Sequence, residues 1–395
     1  MAAARWKRYG LLVGWGATLG AFIIGVGFSV THNVAGSSDF GLYLTAANAL
    51  RHDSHASIYS LSTLAATHAA YGGCAPMPGW GYLYQPLLAL LLAPLSLASC
   101  GVATALWLAL NVAGMLACAA WLVRAMWLWR GAGAALLAGA LCALALPVYE
   151  GLYYGQVHIL ILGVCLGAVA LMRRRHPRWA GALLAVGAFL KYLPALLLLY
   201  YLTSRQWGAA LGAALGAVAL GLLELVIVGP ATLRASLLGG SGELLANIPR
   251  TGAARFQPYA MSILALGVVV VVTLALARWR GADTAAGLSL GEAWAIGAMA
   301  FVSPQTWYHY LTWLLPVGVA LLGAALSIPN PRARKLVLAG LLALCALTFV
   351  NVPWPPPLLM GLLLWLVCTG VLLARVGVPV FGALGPALNA ATASP

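Results

Sequence analysis

What most restricts this chain is a series of long apolar runs with almost nothing charged inside them. They begin at Leu11–Val30 and continue at about Leu83–Ser99, Val102–Val123, Ala132–Val148, Val157–Met172, Trp179–Leu190, Leu193–Leu202, Gly208–Val228, Ala260–Ala277, Glu292–Val302, Leu311–Leu326, Leu336–Val350 and Leu358–Ala374. A run of about 20 apolar residues spans a bilayer as a helix. Only 7% of the 395 residues are charged, and mean hydropathy is +0.96. Soluble domains carry roughly 25% charged residues. The expected fold is therefore all-α: a polytopic transmembrane bundle of about 11–13 membrane helices, with short surface helices in the first outer loop. A single domain over residues 1–380 and a short tail, 381–395, are expected.

The net charge of +14 does not point to nucleic acid. Its Lys and Arg come in short clusters between apolar runs, as in cytoplasmic loops under the positive-inside rule. With Arg5–Arg8, Arg124/Arg130, Arg173–Arg175, Arg205, Arg278/Arg280, Arg332–Lys335 and Arg375 inside, the runs alternate and the N-terminus is cytoplasmic. The first run is read as a retained anchor, since it is long for a signal-peptide core. Alternation demands that Leu83–Ser99, which contains Pro86 and Pro94, be a re-entrant or surface hairpin instead of a crossing. The runs flanking Lys191 are short, as if the membrane dips there to bring Lys191 to the outer face. The seven cysteines have no CxxC spacing and are read as core residues, with neither a zinc site nor a disulfide framework.

The unusual polar residues then collect on the outer side. Asp39 and Tyr43 follow the first helix, and Phe40–Leu50 reads as a helix lying along the membrane surface. Tyr82, Tyr84 and Gln85 close the first loop. Glu150, Gln156 and His158 mark the second, Lys191 the third, Arg250 and Arg255 the fourth, and Ser303–Tyr310 with His309 the fifth. A carboxylate at a membrane edge is costly and so a functional candidate, and Asp39 is one of seven acids. Lys191, Arg250 and Arg255 break the positive-inside bias, and cations so placed suit a phosphate. Plainer readings exist: Lys191 can snorkel to the interface, and His309 can belong to an aromatic belt. Asp53, His52, His55 and His68 read as solvated loop groups. Glu224, inside an apolar run, has no assigned role, and Asp283 and Glu292 fall on or near the cytoplasmic side. No motif for ATP, dinucleotide, zinc-protease or serine-hydrolase chemistry occurs.

Several pieces resemble glycosyltransferase family 87, the polyprenyl-phosphate-mannose-dependent mannosyltransferases of the GT-C fold. They are Ser38-Asp39-Phe40 with Tyr43, Tyr84-Gln85-Pro86-Leu87, Trp107…Asn111, Gly155-Gln156-Val157-His158, Lys191-Tyr192-Leu193-Pro194 and Ser303–His309. Gln85 and His158 depart from the family, which tends to have Pro and Asn there. The resemblance implies an inverting hexosyl-, notably α-mannosyl-, transferase in the bacterial inner membrane, acting at its outer, periplasmic face. It implies a polyprenyl-phosphate sugar donor, a glycolipid or glycan acceptor and surrounding membrane lipids as partners. Asp39 is similar to the family's catalytic base. Lys191, His309, Gln156, Tyr43, Arg255 and Arg250 are the expected donor phosphate and sugar contacts. No cofactor and no metal are expected. A lipid or solute transporter, or flippase, is the alternative, but its ionisable groups would sit near the midplane between repeated halves.

Overall fold

The computed structural model of the chain describes residues 2–33, 38–53, 57–71, 74, 81–238, 289–302, 308–326 and 328, with short pieces between 331 and 339. These residues form helices joined by turns, with no strand among them. Among the described residues, four helical stretches are long and apolar enough to cross a membrane: Tyr9–Thr31, Cys100–Leu128, Ala132–Tyr153 and Trp207–Leu237. The expected runs at 260–277, 336–350 and 358–374, and the tail 381–395, lie outside the described residues.

The helices are α1 (Ala2–Asn33), α2 (Ser38–His52), α3 (Leu61–Tyr71), α4 (Pro86–Leu92), α5 (Cys100–Arg130), α6 (Ala132–Ala143) and α7 (Leu146–Tyr153). There follow α8 (His158–Arg173), α9 (Pro177–Leu190), α10 (Ala195–Thr203), α11 (Trp207–Leu238), α12 (Leu290–Val302), a 3₁₀ segment Tyr308–Leu314 and α13 (Leu315–Ala325). The side of α1 that bears Leu12, Leu19, Ile23 and Phe28 is exposed, as suits contact with lipid. Its other side meets α6 and α7, where Gly25 lies against the Tyr149 ring and Ser29 donates to the Tyr149 carbonyl at 3.1 Å.

Two glycines let α9 and α11 touch backbone to backbone. A Cβ at Gly181 would strike the Ala209 carbonyl, and one at Gly212 the Arg178 carbonyl. Small residues at such crossings are how membrane helices gain van der Waals contact when lipid removes the hydrophobic drive between them. That contact fixes α9, and hence Lys191 at its end.

The stretch before α5 forms no long helix. α4 has seven residues and is followed by a 3₁₀ turn, Leu95–Leu97. α9 and α10, of 14 and 9 residues, are likewise short; at about 1.5 Å per residue they rise roughly 21 and 14 Å. α2 is the expected short helix after the first run, and it is enclosed by protein: residues 40–50 are buried on every side, against α3, α4 and the 3₁₀ turn. One expectation is corrected. Not all the cysteines are lone core residues, because Cys74 and Cys100 form a disulfide with Cα atoms 5.2 Å apart. Cys118, Cys142 and Cys165 are free and buried, as expected.

Candidate active site

Gln156 owes its place to the end of α7. Gly155 adopts the left-handed conformation, φ +64°, and Gln156 N donates to the Gly151 carbonyl at 2.8 Å while Gly155 N donates to Leu152 O at 3.1 Å. This double closure is a Schellman cap, and a glycine is the residue that takes its left-handed position without strain. The Trp107 indole on α5 donates to the Gly155 carbonyl at 2.7 Å and stacks on Phe40 of α2, with centroids 5.4 Å apart. The cap thus binds α5, α7 and α2 together.

Asp39 lies in the first turn of α2, where the helix dipole favours negative charge. Tyr43 is one turn on, so both side chains point the same way. Gln156 receives them with opposite ends of its amide. Its Nε2 donates to Asp39 Oδ2 at 2.5 Å, and its Oε1 lies 3.0 Å from both Tyr43 Oη and Tyr84 Oη. The two phenols are themselves 2.7 Å apart. Each has one proton, so only two of these three contacts are hydrogen bonds at any moment. Burial holds both phenols well above the ordinary tyrosine value; next come each other's charge and Asp39's for Tyr43, and those of Tyr310 and Asp39 for Tyr84. They are therefore donors at neutral pH.

Lys191 follows α9 in extended conformation, ahead of Pro194. Its ammonium donates to Tyr310 Oη at 2.6 Å and meets His158 Nε2 at 3.2 Å. It lies 4.2 Å from the Tyr310 ring centre, 5.2 Å from that of Tyr84 and 6.0 Å from that of Trp313. Among the described residues no carboxylate is within ion-pair reach of it. Burial pulls its pKa down to about 7, and the negative charge of Asp39 opposes the fall.

His309, in the 3₁₀ segment, packs edge-on to His158 with ring centres 4.5 Å apart. Its Nδ1 is 3.4 Å from Glu150 Oε2. Trp313 donates to the His158 carbonyl at 3.2 Å.

A chain of contacts therefore runs Asp39–Gln156–Tyr84–Lys191–His158–His309. Of the expected site residues, Asp39, Tyr43, Gln156, Lys191 and His309 come together. Arg250 and Arg255 lie outside the described residues, as do Ser303–Trp307. Tyr84, His158, Tyr310 and Trp313 belong to the cluster without having been assigned a part. The first two lay inside recognised motifs, whereas Tyr310 and Trp313 look in sequence like any interfacial aromatics.

Chemically, the cluster offers a partly exposed carboxylate, phenol and amide groups spaced for hydroxyls, and a cation set among aromatic rings. The described residues hold no group of three or more His, Cys, Asp or Glu arranged for a metal ion.

The profile of glycosyltransferase family 87 matches residues 82–304, more than half of the chain. The chain belongs to glycosyltransferase family 87. It is accordingly a membrane hexosyltransferase. The matched span holds Tyr84, Gln156, His158 and Lys191 of the cluster, and the fold brings Asp39 and His309 to them from either side. The chain is 29% identical over 293 residues to the polyprenol-phosphate-mannose-dependent alpha-(1-2)-phosphatidylinositol pentamannoside mannosyltransferase of Mycolicibacterium smegmatis, covering 71% of this chain and 68% of that protein. The Mycobacterium tuberculosis protein of the same name is 27% identical over 299 residues, covering 71% and 65%. A polyprenol-phosphate-mannose-dependent alpha-(1-2)-phosphatidylinositol mannoside mannosyltransferase of M. smegmatis is 30% identical over 217 residues, covering 50% and 47%. The chain thus spans about two thirds of the first two relatives and about half of the third. No solved structure matches it.

Proposed function

We propose that this family 87 enzyme transfers a mannosyl residue from a polyprenyl-phosphate donor to a glycolipid of the phosphatidylinositol mannoside class. The observation that carries the reading is Lys191, a cation enclosed by aromatic rings and, among the described residues, out of ion-pair reach of any carboxylate, linked through Tyr84 and Gln156 to Asp39. Lys191 is the docking point for the donor phosphate, with His309 beside it, and Arg250 and Arg255 are proposed to join them. Asp39 takes the proton of the acceptor hydroxyl. As that oxygen bonds to the anomeric carbon, the bond from the carbon to the phosphate oxygen breaks, and its electron pair leaves with the polyprenyl phosphate. The phosphate gains a negative charge in this step, which Lys191 stabilises more in the transition state than before it. Attack opposite the leaving group inverts a β-linked donor to an α-linked product. Gln156 and Tyr43 orient sugar hydroxyls and Asp39.

The outer face of the inner membrane is the proposed side of reaction. Arg173–Arg175 lie at the far end of α8 from His158, and the Cys74–Cys100 disulfide lies at the start of α5, the end that carries Trp107 to the site. Disulfides persist in oxidising compartments. A single cysteine introduced by Tyr192→Cys, in a background whose other free cysteines are replaced, should react with a membrane-impermeant maleimide in intact spheroplasts. Reaction only after the membrane is opened would place the site inside. The activity itself is tested by incubating the purified chain with polyprenyl-phosphate mannose and phosphatidylinositol mannosides, and weighing the lipid product by mass spectrometry. A gain of one hexose is expected; no gain with any acceptor of that class overturns the reading.

A further inference from the structure

Glu224 of α11 is a fully buried carboxylate that the transfer step leaves unused. Its Oε1 accepts a hydrogen bond from Leu87 N at 2.8 Å, across 137 residues of sequence. That amide needs a partner. α4 begins at Pro86, which has no N–H, and Gln85 at the cap position makes no side-chain bond to the helix. Leu87 N is therefore the first free donor of α4, and in a buried setting an orphan donor is costly. Glu224 supplies the cap that Gln85 does not.

The loop just ahead of α4 is held on two more sides. Tyr82 Oη donates to the Gln85 carbonyl at 3.0 Å, and Tyr59 Oη donates to the Tyr84 carbonyl at 2.8 Å. What these bonds hold in place is Tyr84, whose hydroxyl meets Tyr43 and Gln156 while its ring faces Lys191. α11 is itself positioned by the glycine contact with α9, whose end carries Lys191. One rigid pair of helices thus carries both the cation and the carboxylate that fixes the aromatic residue beside it.

We propose that Glu224 is a positioning residue for glycosyl transfer: by capping α4 it sets the Tyr82–Pro86 loop so that Tyr84 bridges Gln156 and Lys191. It acts through Tyr84 and touches no substrate. The inference rests on the reading of the Asp39–Lys191 cluster as the transfer site.

The test is a double-mutant cycle on the full chain in lipid nanodiscs, with polyprenyl-phosphate mannose as donor. Glu224→Leu should lower kcat per folded enzyme about 10- to 100-fold with little change in KM, the scale on which small misplacements act. Glu224→Gln keeps the accepting oxygen and should restore kcat to within about threefold of wild type. In a Tyr84→Ala background Glu224→Leu should cost less than about threefold more, because its route is already gone. Should Glu224→Leu fail to insert, Glu224→Asp, one methylene short, replaces it in the same cycle. An unchanged kcat in the single variant, or the same loss repeated without Tyr84, overturns the proposal. Hydrogen exchange over residues 81–92 reads the cap independently of any donor: Glu224→Leu should accelerate it and Glu224→Gln should not. Unchanged protection in Glu224→Leu counts against the proposal even if the donor assignment fails. A wild-type protein inactive with this donor counts against the proposed function alone.

Discussion

Two polar clusters lie at opposite ends of the bundle, and they are built on opposite rules. At the arginine-rich end, Glu292 uses both carboxylate oxygens. It binds the Arg173 guanidinium, accepts from Tyr201 Oη at 3.0 Å and from Ser289 N at 2.9 Å, while its own amide donates to Ser289 Oγ at 3.1 Å. Ser289 and Glu292 form a capping box at the start of α12, so one local motif and one ion pair tie α12, α8 and α10 together. At the other end Lys191 is set among aromatic rings and hydroxyl and imidazole partners, with no carboxylate within ion-pair reach among the described residues. A closed network braces the fold; an open one leaves a cation to something that arrives. A buried ion pair whose bonds are complete has nothing to offer a substrate, whereas a cation kept from its carboxylate costs stability that is recovered when an anion binds.

The contrast is broken most severely at Asp39. Asp39→Ala should reduce turnover by about 10²–10⁴-fold, the usual contribution of a general base, with the protein still inserted and folded. Lys191→Met comes next, with an expected loss of about 10²–10³-fold, as when one charge-stabilising donor is removed. Its pH signature is sharper. Burial has lowered the Lys191 pKa to about 7, so its charge is present below that value and lost as pH rises through it. The ratio kcat/KM for the donor should be level below about pH 7 and fall about tenfold per unit above it. Lys191→Arg, charged at every working pH, should abolish that alkaline fall. At the closed end the effect moves from turnover to stability. Glu292→Gln should cost about 1–3 kcal/mol in unfolding experiments, by loss of charge-assisted bonds, while activity per folded molecule stays at the wild-type level. Smallest of all, Cys74→Ser should leave kcat within about twofold and lower only thermal resistance.

Much of this was readable from the residues, for identifiable reasons. The apolar runs gave the helical membrane bundle. Lys191 was visible because it breaks the positive-inside bias between two short runs, and Asp39 because acids are scarce. The break in the Leu83–Ser99 run was marked by its two prolines, one at the start of α4 and one ahead of the 3₁₀ turn. What was hidden depends on contacts remote in sequence. The periodicity of α2 does not show that α3 and α4 enclose it; only their packing does. Cys74 and Cys100 are 26 residues apart, with no spacing that marks a pair. Glu224 looked like an anomaly because the helix it caps lies 137 residues earlier in the chain. Tyr84 and Tyr310 gain meaning only from the ammonium between them. Arg250, Arg255 and Ser303–Trp307 fall outside the described residues, so their part in the site stays a proposal.

The central claim is that the open cluster is where the sugar moves and that Asp39 is its base. The most direct measurement uses Asp39→Asn, nearly the same shape without the charge, in nanodiscs with labelled polyprenyl-phosphate mannose and a phosphatidylinositol mannoside acceptor. Donor binding and product mass are followed in the same sample. The account predicts donor binding close to that of wild type and no hexose added to the lipid. Product formed at the wild-type rate would contradict it.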